Sequence, residues 1–122
     1  DESIFDGNIL TSTSRNPRLF EHQGKYCIIT NNVMEGLQGM ETYRSSVGIY
    51  AAAEQATENM ITQNVIRNVC DCGIFTHKNV GLVQNNLIRT YAECNRFIMQ
   101  AFSDNAELAY RLDENRVQSI FD

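Results

Sequence analysis

A single proline, Pro17, stands in a chain of 122 residues. Proline locks φ, lacks an amide donor and breaks helices in their interior, so 105 consecutive residues without one leave room for long, uninterrupted elements. Two stretches of that region carry a helical spacing. Met40, Tyr43, Val47, Tyr50, Glu54, Thr57, Ile61, Val65 and Val69 step by three and four residues, as one face of a helix does, and Ala51–Ala53 add strong helix propensity. Val80, Val83, Leu87, Tyr91, Cys94, Ile98 and Phe102 repeat the same steps. The spacing predicts helices within Glu41–Val69 and Asn79–Phe102.

Shorter elements are expected around this pair. Asn16-Pro17 reads as a helix start leading into Pro17–His22, Gly24 as its end, and Tyr26–Thr30 as a short strand or a helix start. Gly36 and Gly39 interrupt the chain. Ser103-Asp104 caps a short helix over Ala106–Leu112, and a last turn holds Val117, Ile120 and Phe121. No internal repeat or low-complexity linker emerges. The expected fold is all-α: a small single domain over 1–122, with four to six helices, an irregular segment over 1–24 and a core helix pair within 41–102.

Composition sets the function classes. An apolar fraction of 43% and a charged fraction of 20% are globular values. The longest stretches without polar residues, such as Gly48–Ala53, are too short to cross a bilayer, which takes about 20 residues. Ten basic residues against fifteen acidic ones give a net charge of -5, with no basic run. Nucleic acid and anionic membranes are therefore poor partners, and a cationic protein is a better one.

Four cysteines, Cys27, Cys70, Cys72 and Cys94, suggest two disulfides. Cys70 and Cys72 are too close in sequence to bridge without strain, so each is expected to take a distant partner, one Cys27 and the other Cys94. A Cys27–Cys94 bridge with Cys70 and Cys72 reduced is the alternative. The chain starts at Asp1 without an initiator methionine, which together with the cysteines points to a mature periplasmic or secreted protein. Cys70, Cys72 and His77, with Cys94 or Cys27, are the best metal candidates, although C-x-C is tighter than zinc sites favour; no metal or cofactor is expected. No HExxH, nucleophile elbow or glycine-rich phosphate loop is present, so no catalytic residue is assigned and a non-enzymatic role is expected.

Cys70-Asp-Cys-Gly73, Tyr91-Ala-Glu-Cys94 and an acidic helical surface together resemble the small periplasmic immunity proteins of type VI secretion effectors. That resemblance implies a protein that binds a secreted cell-wall hydrolase, an amidase or muramidase, and fills its cleft, often as a homodimer. Glu54 and Glu58, four apart on a predicted helix, and Glu35, Asp71 and Phe75, in segments flanking the helices, are the expected partner-binding residues. Ser45, Ser46, Gly48 and Ala51–Ala53 offer a close-packing seam. A helical dimeric adaptor or chaperone is the second reading, and a small metal-binding domain the third.

Overall fold

An asparagine recurs inside the molecule at intervals of 24, 32, 22 and 29 residues: Asn8, Asn32, Asn64, Asn86 and Asn115. Asn8, Asn32, Asn64 and Asn86 each follow a residue of positive φ, and each stands between two short strands. The computed structural model describes residues 2–12, 18–36, 46–69, 71–90, 97–102 and 114–119. Among these the chain winds as a parallel β-solenoid, four coils each contributing one strand to each of three sheets and a further strand extending the second.

The first sheet holds β1 (Ile4–Asp6), β4 (Ile28–Thr30), β7 (Met60–Thr62) and β10 (Leu82–Gln84), in that order. The second holds β2 (Ile9–Thr11), β5 (Val33–Glu35), β8 (Val65–Val69), β11 (Leu87–Thr90) and β13 (Arg116–Ser119). The third holds β3 (Arg18–Glu21), β6 (Val47–Ala51), β9 (Cys72–His77) and β12 (Ile98–Ala101). Every pairing is parallel. No α-helix occurs among the described residues, so the all-α expectation is wrong, and with it the core helix pair. Arg18–Glu21, expected in a short helix, is a strand. The helix expected at Ala106–Leu112 lies outside the described residues.

The interior is built from three side-chain stacks, one per sheet. Phe5, Ile29, Ile61 and Val83 are in register in the first, and Leu10, Met34, Ile66, Ile88 and Val117 in the second. Phe20, Ile49, Ile74 and Ile98 are in register in the third. All belong to one core cluster. Alternation along each strand turns the neighbouring residues outward. Burying one such aliphatic side chain contributes about 1.5–3 kcal/mol, and stacking like on like fills the narrow interior.

The corner between the first and second sheets is where the asparagines act. Gly7, Asn31, Gln63 and Asn85 have positive φ, between 56° and 72°, and redirect the chain so that the next side chain points inward. The Oδ1 of Asn32 then accepts from both the backbone N–H and the Nδ2 of Asn8, Asn64 from those of Asn32, Asn86 from those of Asn64, and Asn115 from those of Asn86, all at 2.9–3.1 Å. Each Nδ2 from Asn32 onward also donates to a carbonyl of the preceding coil, of Phe5, Ile29, Ile61 and Val83 in turn, at 3.0 Å. A carboxamide alone offers both functions on one short stem. Asn59 plays a similar part at the corner leading into the first sheet, accepting from Cys27 N–H and donating to Gly24 O.

The corner between the second and third sheets depends on glycine. A Cβ on Gly48 would lie 2.5 Å from the Gly73 carbonyl oxygen, and one on Gly73 would lie 2.4 Å from Ile88 Cγ2 and 2.7 Å from the Phe97 carbonyl oxygen. Neither position has room for a side chain, so the sheets close tightly there.

The disulfide expectation is also corrected. No disulfide forms among the described cysteines: Cys27 is a free, buried thiol, and the buried Cys72 thiol donates to the Ile74 carbonyl at 3.1 Å. Their sites in the solenoid wall, one in the first-sheet corner and one at the start of β9, are occupied by these local contacts. Cys70 and Cys94 lie outside the described residues.

The ladder predicts a graded cost. Asn64→Ala leaves two donors of Asn32, the Ile29 carbonyl and the Asn86 carboxamide short of partners in a buried corner, and should cost about 3–5 kcal/mol in urea unfolding. Asn8→Ala, at the half-buried first rung, should cost roughly 1 kcal/mol. Equal costs would mean that the rungs do not act as a stack.

Candidate binding face

The outer face of the third sheet brings aromatic, sulfur-containing and charged side chains together. Because Ile49, Ile74 and Ile98 point inward, Tyr50, Phe75 and Met99, one residue later in register, point outward. Tyr50 and Phe75 stack with centroids 5.5 Å apart and planes 25° apart. That is about one strand spacing, so the pair follows the solenoid axis. Val47, Cys72 and Met99 join them in an apolar cluster separate from the core, with Val47, Cys72 and Met99 buried and the two rings half-buried.

Charged groups border this cluster. The Arg18 guanidinium lies 3.7 Å from the Tyr50 ring centroid and also donates to the Glu21 carboxylate. Glu21 is in register with Tyr50. Asp71 sits just before β9, its N–H donating to the Ser46 carbonyl at 3.0 Å. Glu54 is exposed in the turn after β6.

Two histidines lie at the far end of these strands. The backbone N–H of His22 donates to the Tyr50 carbonyl at 2.9 Å, and its Nε2 has no hydrogen-bond partner among the described residues. His77 is 6% exposed, packs on Phe102 with centroids 4.9 Å apart, and its Nδ1 accepts from the Asn79 N–H at 2.9 Å. An acceptor Nδ1 requires the neutral ring. Burial lowers the pKa of His77, helped by Lys78 and opposed by Glu54. Burial lowers that of His22 as well, against a hydrogen bond with Gly24 backbone.

The five residues expected to bind a partner divide between faces. Asp71, Phe75 and Glu54 fall on the third sheet or its ends. Glu35 is on β5 in the second sheet, ion-paired with Arg67 at 3.4 Å. Glu58 lies at the corner before the first sheet, with φ of 57°, where its hydrogen bond raises the pKa of the exposed Tyr26 hydroxyl. Glu54 and Glu58 share no helix face, since no helix exists there. Among the described residues no group of His, Cys, Asp and Glu is arranged to hold a metal, so Cys72 and His77 do not form the core of one; they stand at opposite ends of β9.

Sequence reasoning missed Tyr50, Arg18 and Glu21 as site residues. A signal for Tyr50 was present: Val47-Gly-Ile-Tyr-Ala51 and Cys72-Gly-Ile-Phe-Thr76 are the same strand written twice, and the aromatic residue is the outward position of each. No family model, curated protein or solved structure matches the chain.

His77 gives the face a pH dependence with a definite sign. Its folded pKa lies below the ordinary histidine value of 6.5, so the unfolded chain takes up the proton first. Stability is then full above pH 6.5 and falls as pH drops from there toward the folded value. The urea midpoint of the wild type should decrease between roughly pH 7.5 and 5.5, and His77→Gln should show a smaller decrease. An identical pH profile for the variant would remove His77 as the titrating group.

Proposed function

We propose that this chain is a non-catalytic binding module that docks a basic protein through the outer face of its third sheet. The observation that supports this reading is the half-buried Tyr50–Phe75 stack, held on adjacent strands of a rigid sheet and bordered by Glu21, Glu54 and Asp71. Aromatic rings with few rotatable bonds make strong anchors, because little conformational freedom is lost on docking. The acidic border and the net charge of -5 steer a cationic partner toward that face. A secreted cell-wall hydrolase, which works against a polyanionic polymer, fits that description, and the expected action is to cover its cleft. The periplasmic or secreted location belongs to the same proposal; the cysteines no longer argue for it, since Cys27 and Cys72 form no bridge with each other. No helix among the described residues is long and apolar enough to cross a membrane.

One observation favours a second reading. Tyr50 and Phe75 repeat along the solenoid axis at about the strand spacing, a geometry that also suits the sugar rings of a linear polysaccharide laid along that axis.

Binding measurements against the protein encoded by the neighbouring gene, and against soluble wall glycan, separate the two. Tyr50→Ala and Phe75→Ala should each weaken capture of the protein partner tenfold or more, chiefly through faster dissociation. Ile9→Ser, on the outer face of the second sheet, should leave it unchanged. Binding of glycan alone, lost in the same aromatic variants, would establish the second reading. Binding to either ligand that survives both aromatic substitutions would move the site off the third sheet.

A further inference from the structure

The Tyr50 ring already carries a cation. The Arg18 guanidinium sits 3.7 Å from its centroid, and the same guanidinium donates to Glu21. A ring face with a carboxylate beside it is a complete receptor for a planar cation: the quadrupole attracts the charge, and the carboxylate accepts the N–H groups. Both receptor groups are fixed by the fold. Tyr50 is on β6, stacked on Phe75 of β9, and Glu21 faces it in register from β3.

We infer that Tyr50 and Glu21 form an arginine-binding subsite, which the protein's own Arg18 fills until a partner's arginine displaces it. This rests on the reading of the third sheet as a docking face for a basic protein, and it names the group on the partner that the face recognises. Arg18 is suited to leave. Its side chain and that of Glu21 are 48% and 43% exposed, so the ion pair is screened by water and holds weakly. Arg18 stands on β3, the edge strand of the third sheet, paired on one side with β6, and its side chain is half-exposed. Displacement then exchanges one guanidinium for another on the same ring and carboxylate, while the incoming one brings a partner surface to cover Phe75. Guanidinium is preferred to ammonium here, because a flat, weakly hydrated group stacks on the ring and presents paired N–H groups to the carboxylate.

The test uses the whole chain and acetyl-arginine amide as probe, followed through the ring resonances of Tyr50 by NMR, with acetyl-lysine amide and the uncharged acetyl-citrulline amide as controls. Arg18→Ala and Arg18→Gln should bind the arginine probe about three- to tenfold more tightly than the wild type, the range that an exposed cation–π contact and ion pair would account for. Glu21→Gln added to Arg18→Ala should abolish the gain. Lysine should bind more weakly, and citrulline should not bind. Arginine binding no tighter in either Arg18 variant than in the wild type, or citrulline binding as well as arginine, would overturn the inference. The two readings fail separately. If the Arg18 variants take the probe more tightly but no basic protein is captured, the subsite stands and the docking function falls. If Tyr50→Ala abolishes capture while the Arg18 variants leave probe affinity unchanged, the docking face stands and the self-occupied subsite falls.

Discussion

The stacked carboxamides of Asn8, Asn32, Asn64, Asn86 and Asn115 are the constraint on which the remaining structure depends. A parallel solenoid must turn a corner several times per coil, and each corner takes backbone groups out of the sheet ladders while keeping them inside the wall. Unpaired, they would each cost about 1–3 kcal/mol. One inward asparagine per coil accepts two hydrogens from the coil before it and returns one to a carbonyl there. The first and second sheets thereby keep a fixed register, and the inner rows of Phe5, Ile29, Ile61 and Val83 and of Leu10, Met34, Ile66 and Ile88 stay stacked. The glycine pair Gly48 and Gly73 then lets the third sheet close on the second.

Fixing the interior in this way fixes the outside too. Since side chains alternate, inward Ile49 and Ile74 oblige Tyr50 and Phe75 to stand outward on neighbouring coils, where they stack on each other. The face is therefore rigid before a ligand arrives, which limits the entropy lost on binding. Its electrostatics are asymmetric: Arg18 and Glu21 pair with each other beside Tyr50, while Glu54 is exposed in the turn after β6. Preorganised rings with acidic residues beside them support the reading of this surface as a docking face, and the Arg18 contact with Tyr50 and Glu21 is the basis for proposing arginine as the group it takes.

Much of this was legible in the residues, in a form that the helical periodicity hid. Phe5-Asp-Gly-Asn-Ile-Leu10, Ile29-Thr-Asn-Asn-Val-Met34, Ile61-Thr-Gln-Asn-Val-Ile66, Val83-Gln-Asn-Asn-Leu-Ile88 and Leu112-Asp-Glu-Asn-Arg-Val117 share one pattern: two apolar residues five apart, with asparagine two before the second. Intervals of 24, 32, 22 and 29 residues between the asparagines blur the repeat, because chain is inserted at different corners of different coils. The apparent helix steps have a plain cause. Ile61 to Val65 and Val83 to Leu87 are four apart, but each pair straddles a corner, the first residue buried inside and the second half-exposed on the outside. Central strands need every backbone donor, so the lack of proline after Pro17 suits this fold as well as it suits a helix. Phe75 was expected to bind a partner from its place beside a rigid element, and it lies on the outer face of the third sheet; Tyr50, Arg18 and Glu21 became visible there only through the register that joins β3, β6 and β9.

Side-chain amide exchange measures the central claim most directly. In the ladder the Nδ2 hydrogens of Asn32, Asn64 and Asn86 are each bonded on both sides inside a buried corner. After transfer to deuterated water these three carboxamides should keep NMR signals for as long as the slowest backbone amides, while those of Asn31 and Asn85, on the exposed outside of the same corner, should vanish at once. Exchange of Asn32, Asn64 and Asn86 as fast as that of Asn31 and Asn85 would contradict the ladder, and with it the solenoid it holds in register.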